Sequence, residues 1–309
     1  MPIRIFSLPG KDLQYALNCM NICDLIAFSL CSKRTKNLVK SSNRKIHLPT
    51  IYVYENRVQF FIRERALQRE DYEIERRIFQ FNFHDKGAES ACRNGIGVWK
   101  KEFTQNDWIA HFMSTFNHSM IHTLGIMNNT SISYLDTIKQ FFPKFHKLLI
   151  SGTCSREFIK IVFWKLYTIA EEVEFDRNIF DDENDKSKFL TQNFKSVTFG
   201  PLKLTLDDLL TLNIADLTIN FANISEKELN RFLKLWMKGN HIFYRPKAIR
   251  LCTEDEIDIS CEEVLKGIKY EDVQYNNGED FPTFRLRRGD GKEMKVFIAD
   301  NEFVFRVGQ

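Results

Sequence analysis

The chain has 309 residues, of which 28 are phenylalanine and only 13 glycine and 7 proline, and 43% are hydrophobic. This composition excludes a disordered, collagen-like or linker chain, and the length favours roughly two domains. The net charge is +3, from 44 basic and 41 acidic residues, which gives no indication of nucleic-acid binding, and no apolar run approaches the length of about 20 residues that spans a membrane.

Residues 1–46 form a basic N-terminal segment, called the head below, for which three short helices are predicted. The head holds eight basic and two acidic residues, so we expect it to meet an acidic partner. Its apolar residues recur at spacings of three and four, Pro9 suits a first helical turn, and Asp24 suits the start of a second helix. A segment of this length is too short for a stable core, so we expect apolar surface to face a partner.

The order of these residues resembles an F-box. The resemblance rests on Leu8-Pro9, Leu13, Leu17, Asp24-Leu25, Phe28-Ser29-Leu30, Ser32-Lys33-Arg34 and Leu38-Val39. It departs from many F-boxes at Asn37-Leu38, where tryptophan often follows the basic pair. The resemblance implies docking on the small acidic Skp-type adaptor of SCF ubiquitin ligases, and through that adaptor on a cullin. The adaptor-binding residues that it implies are Leu8, Pro9, Leu13, Leu17, Leu25, Phe28 and Leu30. The competing interpretation is an ordinary three-helix start that packs on the rest of the chain.

The stretch 47–100 is predicted to be rich in strands. Residues 51–54 and 58–62 flank a short polar loop, which predicts a hairpin, and residues 77–83 alternate as in a half-buried strand. A helix is then predicted around Trp108–Met113, with Thr104 as its cap.

Over residues 101–270, a five-residue strand pattern with apolar third and fifth positions recurs six times. The copies start at His122, His146, Glu171, Lys195, Ala215 and Lys247. Helical patterns accompany them at 134–142, 158–167, 187–192, 206–212, 226–237 and 262–267. A strand and a helix every 20–29 residues are typical of leucine-rich repeats, although the Asn/Cys turn of that repeat is not evident. A doubly wound α/β sheet with coincidental spacing is the alternative.

The last segment, 271–309, predicts a β-meander that caps the repeats. The predicted fold class is thus mixed α+β and α/β: a three-helix F-box (1–46), then a body (47–309) with a β-meander, an irregular leucine-rich-repeat-like βα solenoid and a C-terminal β cap. Alternation along the strands predicts an open sheet face for target contact. The residues predicted on that face are Lys147, Glu172, Glu174, Ser196, Thr198, Asp216, Thr218 and Arg250.

A second resemblance covers 206–239. Residues 206–213, followed by 224–239 with the ending Phe232-Leu233-Lys234-Leu235-Trp236-Met237-Lys238-Gly239, are similar to the type-2 F-box-associated domain of a large group of nematode F-box proteins. Read from the residues alone, 226–237 is a helix with a capping box of Ser225 and Glu228, and Gly239 ends it. The resemblance implies that the body selects substrates.

Other candidate chemistry in the sequence is weak. His111, His118 and His122 would need one helix to share a metal, but His122 is predicted on a strand. The acidic stretch 171–185 lacks the spacing of a calcium loop and favours a solvated or basic-substrate surface. Seven scattered cysteines without a secretory leader favour reduced thiols and a cytoplasmic and/or nuclear location.

The sequence nominates no catalytic, cofactor-binding or metal-binding residue. We therefore expect a non-enzymatic substrate-recognition subunit of an SCF-type ubiquitin ligase, with an unknown protein target and without a nucleic-acid or membrane partner. The alternative is an interaction scaffold that binds the adaptor without recruiting the ligase. A small-molecule enzyme is a third class, for which a deep polar pocket would be the sign.

Overall fold

The structure is a computed structural model. It describes residues 5–42, 44, 46–55, 57–63, 78–84, 87–89, 103–116, 120–239, 246–254, 258–273 and 282–308. The chain divides into two compact units, Met1–Ala170 and Glu171–Gln309. Across the described residues, helices long and apolar enough to cross a membrane do not occur.

The first unit opens with the three helices predicted for the head. After a 3-10 turn at Ile5–Ser7 come α1 (Gly10–Cys19), α2 (Ile22–Cys31) and α3 (Lys33–Ser41). Asn21 caps α2 by accepting a hydrogen bond from the N–H of Asp24, whose carboxylate lies in the first turn, where the helix dipole favours it. Ser32 caps α3 in a reciprocal capping box with Thr35.

Within its described residues, the first unit continues with six strands and three helices. The strands are β1 (Thr50–Val53), β2 (Arg57–Arg63), β3 (Ile78–His84), β4 (Gly87–Glu89), β5 (Ile121–Ile126) and β6 (Phe145–Ile150). They lie in the order β4-β3-β2-β1-β5-β6, antiparallel from β4 to β1 and parallel from β1 to β6. The helices are α4 (Gln105–Thr115), α5 (Ile132–Phe141) and α6 (Arg156–Leu166). The predicted hairpin is confirmed as β1 and β2, and Thr104 caps α4 as predicted.

The second unit alternates strands and helices and then ends in a meander. In chain order it contains β7 (Ala170–Phe175), α7 (Glu183–Leu190), β8 (Ser196–Lys203), α8 (Leu206–Thr211), β9 (Asp216–Asn223), α9 (Glu226–Met237), β10 (Ala248–Cys252), α10 (Cys261–Leu265), β11 (Glu271–Asp272), β12 (Thr283–Arg287), β13 (Glu293–Ala299) and β14 (Glu302–Val307). Strands β7, β8, β9 and β10 are parallel neighbours in that order. Strand β14 pairs antiparallel with β10, and β13, β12 and β11 follow outward.

All six predicted repeat strands are strands, and a helix follows each of them. The C-terminal meander also forms as predicted and adds to the last parallel strand, β10. Parallel strands in sequential order with intervening helices occur in repeat arrays and in other α/β sheets alike. The mixed α/β class is therefore established, and the leucine-rich-repeat-like solenoid stays a prediction.

Phenylalanine fills the interior of the second unit. The rings of Phe175 and Phe199 stack with centroids 5.4 Å apart on neighbouring strands. Phe189 of α7 approaches both rings edge-on. Aromatic pairs in these geometries gain about 0.5–1.5 kcal/mol beyond the area they bury. The helices consequently lie against one face of the strands, and the polar side chains between the buried ones lie on the other face.

Candidate functional site

The head has a small apolar core of its own. Leu17, Leu25 and Val39 are buried at its centre, and the partly buried side chains packed against them are Leu13, Met20, Phe28 and Leu38. Leu17 and Leu25, which the F-box resemblance implied as adaptor contacts, are thus buried within the head itself. Their structural role is to hold α1 and α2 together beneath the surface.

The other five implied adaptor residues keep accessible surface. Pro9 is exposed, and Leu8, Leu13, Phe28 and Leu30 are half-buried. In the free chain these five side chains are available to a partner without rearrangement of the helices.

Phe6, which the sequence patterns did not indicate, adds an aromatic ring to this surface. Its side chain is 45% exposed, its ring stacks on Phe28 with centroids 6.2 Å apart, and the guanidinium of Arg34 lies 4.7 Å from its centroid. Tyr15 on α1 is also exposed. The signal available in the sequence was an aromatic residue just before Leu8-Pro9. We define the head surface as Phe6, Leu8, Pro9, Leu13, Tyr15, Phe28 and Leu30.

The head also carries exposed basic side chains. Lys11, Lys33, Arg34 and Lys40 are exposed. Arg34 lies against Phe6 of the head surface. A head with both an apolar surface and exposed cations suits a partner with an apolar groove and acidic residues, because unlike charges steer association while apolar burial supplies affinity.

Helix α4 packs on α2 and α3 and covers another side of the head. There the Oγ of Ser29 lies 2.8 Å from Nε2 of His111, and both residues are buried. His111, one of the three histidines considered as metal ligands, uses its Nε2 in this hydrogen bond. His118 lies outside the described residues, and His122 lies on β5 as predicted, with its ring 5.2 Å from that of His146. Clusters of three or more candidate metal ligands are absent from the part of the chain that the structure describes.

Seven of the eight predicted target residues lie on neighbouring strands of the second unit. One cross-strand row is Glu172, Ser196 and Asp216, and a second row is Glu174, Thr198, Thr218 and Arg250. Arg250 is exposed and the other six are half-buried, whereas the residues between them along the strands are buried. The eighth, Lys147, is half-buried on β6 in the first unit. We call the face with the two rows the outer face.

An ion pair fixes the basic end of the second row. Nε of Arg250 lies 2.7 Å from a carboxylate oxygen of Glu302 on β14. Hydrogen bonding to Glu302 raises the pKa of the Arg250 guanidinium above its ordinary value, so Arg250 is charged at any pH at which the protein folds. The two rows of the outer face thus carry three carboxylates, on β7 and β9, and the ion-paired guanidinium of Arg250 on β10.

The cysteines differ in one respect from the expectation of reduced thiols. Cys23 is part of a disulfide, so the expectation is wrong at that position. The free thiols among the described residues are Cys19, Cys31, Cys154, Cys252 and Cys261. Burial raises the pKa of Cys252 and of Cys261, which keeps both as unreactive thiols rather than thiolates.

Comparison with known proteins identifies two regions of the chain. Residues 5–47 match the family model described as F-box domain, and residues 186–242 match the one described as F-box associated. The chain carries an F-box and an F-box associated domain. It is also 20% identical to the F-box associated domain-containing protein sdz-33 of Caenorhabditis elegans, in an alignment that covers 96% of this chain and 94% of that protein. Both resemblances drawn from the sequence are thereby confirmed.

The F-box associated match begins at a buried lysine. Lys186 is 3% exposed, and its Nζ lies 2.7 Å from Asp208 and 2.5 Å from Glu183 and donates to the carbonyl oxygen of Lys203. Burial acts to lower the pKa of Lys186, but its contacts with the two carboxylates outweigh burial and the pKa is raised above its ordinary value. The network therefore joins α7, α8 and the end of β8 inside the domain.

The domain's longest helix, α9, forms with the predicted bounds. Ser225 and Glu228 make the reciprocal capping box, and Gly239 follows the helix with a φ of 71°, a conformation that favours glycine. Arg288 in the C-terminal meander lies 5.1 Å from the ring centroid of Trp236 and pairs with Asp290. The meander consequently packs against the end of the helix whose sequence is most specific for the domain.

Proposed function

We propose that this chain is the substrate-recognition subunit of an SCF-type ubiquitin ligase. In this proposal the F-box docks on a Skp-type adaptor and through it on a cullin, and residues 47–309 hold a target protein. Ubiquitin transfer belongs to other subunits, so the chain acts without catalytic residues, cofactor or metal.

The head surface is the observation that carries the proposal. Its side chains remain accessible although the head already has a buried core, and Phe6 is held in place by Phe28 and Arg34. Burying one large apolar side chain stabilises a complex by roughly 1.5–3 kcal/mol, so a few of these residues provide enough driving force for docking. The exposed cations beside them favour an acidic adaptor.

Three finer points belong to the same proposal. We infer that the βα segments of 101–270 form an irregular leucine-rich-repeat-like solenoid, which is supported by sequential parallel strands within each unit. The outer face of the second unit, together with Lys147, is the proposed target surface. A cytoplasmic and/or nuclear location also belongs to the proposal; the five free thiols among the described residues support it, and the disulfide of Cys23 does not.

Co-purification with the adaptor tests the proposal. Leu8→Ala/Pro9→Ala removes two accessible apolar side chains of the head surface and leaves Leu17, Leu25 and Val39 in place. We expect loss of the Skp-type adaptor with an unchanged circular dichroism spectrum and melting temperature. The matched control is Ile132→Ala/Ile161→Ala, which truncates two exposed apolar side chains on α5 and α6 and is expected to keep the adaptor. Equal recovery of the adaptor with both double variants would overturn the proposal.

Recruitment of the ligase separates this proposal from a scaffold function. A substrate receptor brings a cullin into the adaptor complex, whereas a scaffold holds the adaptor alone. We expect the cullin to co-purify with the wild-type chain in proportion to the adaptor. Adaptor recovery without any cullin would favour the scaffold.

A further inference from the structure

The solvent side of α9 carries four cations in one line. Lys227, Arg231, Lys234 and the C-cap Lys238 follow one another at spacings of four, three and four residues. Residues at such spacings are neighbours on the surface of a helix. Lys234 is half-buried and the other three are exposed. We call these four residues the basic stripe, which extends along about 16 Å of the helix axis at a rise of about 1.5 Å per residue.

The basic stripe lies opposite the apolar face of α9. The side chains of Leu229, Phe232, Leu233 and Trp236 are buried, and the two aromatic ones contact Phe305 of β14. At 3.6 residues per turn, the centre of the stripe is about 180° around the helix from the centre of these four residues. The stripe therefore faces away from the sheet, and the apolar face of the helix is already covered by the protein.

The basic stripe forms no ion pair with any residue that the structure describes. Arg231 contributes to the lowered pKa of Glu228, but that carboxylate accepts hydrogen bonds from Ser225 in the capping box at the start of α9. The residues that follow the helix in the chain, 240–245, include no aspartate or glutamate. The charge of the stripe is consequently open to a partner.

The basic stripe opposes the stability of its own helix. It contains three like-charge pairs at spacings of three or four residues, and such pairs destabilise a helix. The helix dipole favours cations in the last turn, which accounts for Lys234 and Lys238. It does not account for Arg231 in the middle of the helix, and it disfavours Lys227 in the first turn. Binding of an acidic partner gives these two residues a role that folding does not.

Exposed carboxylates on both neighbouring helices limit the positive surface to the width of one helix. Asp207 lies on α8, Glu262 and Glu263 lie on α10, and both helices pack on α9. A nucleic-acid duplex or an anionic bilayer presents phosphates over a wider surface, so these carboxylates would repel it. A bilayer would also need an accessible apolar face, and that of α9 is buried. A narrow line of cations favours a single acidic protein segment instead.

We propose that the basic stripe binds an acidic, extended segment of a target protein. Neighbouring cations of the stripe are about 4.5–6 Å apart along the helix axis. Carboxylates on alternate residues of an extended segment are about 6.6 Å apart, a spacing that long lysine and arginine side chains match. This inference rests on the proposed target binding by residues 47–309. It names the chemistry of the target and adds a contact on the helix side of the second unit.

Binding of an acidic peptide to the full chain tests the inference. The probe is a rhodamine-labelled short peptide of alternating glutamate and glycine, measured by fluorescence anisotropy at low ionic strength. We expect wild-type binding that weakens with added salt, and that weakens by about fivefold or more in Arg231→Gln/Lys234→Gln/Lys238→Gln. The charge-preserving Arg231→Lys/Lys234→Arg/Lys238→Arg variant is expected to bind like the wild type. The glutamine variant is expected to melt no lower than the wild type, because it removes like-charge pairs.

A matched variant separates the basic stripe from the charge of the whole chain. Lys188→Gln/Lys203→Gln/Lys292→Gln removes three exposed cations elsewhere in the second unit and is expected to leave binding unchanged. Equal weakening in this variant, equal affinity for a glutamine–glycine peptide, or absence of wild-type binding would overturn the inference. Tighter binding of an oligothymidine of similar length would overturn it in favour of a nucleic acid. Adaptor co-purification reads out the proposed function separately, because the probe does not involve the head.

Discussion

The F-box associated domain contains a buried lysine whose charge is compensated by partners of the same chain. Lys186 is inaccessible to water, yet two carboxylates and a carbonyl oxygen satisfy its ammonium group. One of the carboxylates, Asp208, is itself buried and also accepts hydrogen bonds from Thr205 at the start of α8. Removing one partner of such a pair leaves the other charge without compensation in the interior.

We predict that Lys186→Met lowers the free energy of unfolding by about 3 kcal/mol, because Asp208 then loses its buried counter-charge. Urea denaturation followed by circular dichroism measures the change. The control is Lys188→Met on the exposed side of the same helix, which is expected to change stability by less than about 0.5 kcal/mol. Similar losses in the two variants would contradict a structural role for the buried network.

The raised pKa of Lys186 adds a pH dependence with a definite sign. A group whose pKa is higher in the folded state contributes stability that is complete below its unfolded pKa and is lost as the pH rises through its folded pKa. The wild type is therefore expected to lose this contribution in alkaline solution, and Lys186→Met is expected to lack that loss.

Local patterns explain why some elements were predictable at the scale of helices and strands. The bounds of α9 follow from a capping box, a buried stripe and a terminal glycine, all of which lie within 225–239. Helix α7 was predicted at 187–192 but spans Glu183–Leu190, because Asp182 caps it. That aspartate belongs to the acidic stretch that the sequence suggested was a solvated surface, and acidic residues in a first turn are favoured by the helix dipole.

The same local patterns could not predict contacts between residues that are distant in sequence. The packing of α4 on the head depends on side chains such as Ser29 and His111, which are 82 residues apart in sequence. The stack of Phe6 on Phe28 likewise depends on the path of the chain before α1. By contrast, the two rows of the outer face were predictable, because the two-residue period of a strand fixes which side chains share a face.

The capping box of α9 leads to a prediction in acid. Burial acts to raise the pKa of Glu228, but hydrogen bonds from Ser225 and from the backbone of Leu206, together with the charge of Arg231, outweigh burial and lower the pKa below its ordinary value. A lowered pKa contributes stability that is present above the unfolded value and is lost as the pH falls through the folded one. Melting temperatures between about pH 6 and pH 3 are expected to fall less steeply for Glu228→Gln than for the wild type.

Two further variants serve as controls for the predicted acid dependence. Ser225→Ala removes the two hydrogen bonds of the Ser225 hydroxyl, keeps the one that the backbone N–H of residue 225 donates to Glu228, and is expected to cost about 1 kcal/mol at neutral pH. Glu262→Gln, at an exposed position in α10, is expected to keep the acid dependence of the wild type. A wild-type acid profile in Glu228→Gln would show that the capping box contributes nothing measurable.

The chain combines a three-helix head with a mixed α/β body, and the two differ in the apolar residues that they use. Two phenylalanines lie in residues 1–46, which use leucine, isoleucine and methionine instead, and the other 26 lie in the body. Because α4 packs on α2 and α3, deletion of residues 1–46 would also uncover an apolar side of α4. Point variants of the head surface are therefore the sharper way to uncouple the head from the body.

Proximity labelling in cells with quantification of protein abundance tests the central claim, that the body selects targets which the head delivers for ubiquitin-dependent degradation. The comparison is between the wild type, Leu8→Ala/Pro9→Ala and the control Ile132→Ala/Ile161→Ala. We predict a set of proteins that all three chains label and whose abundance rises only with Leu8→Ala/Pro9→Ala, because that variant still binds targets but no longer delivers them. Labelled proteins with equal abundance and equal half-life in all three cases would contradict the claim.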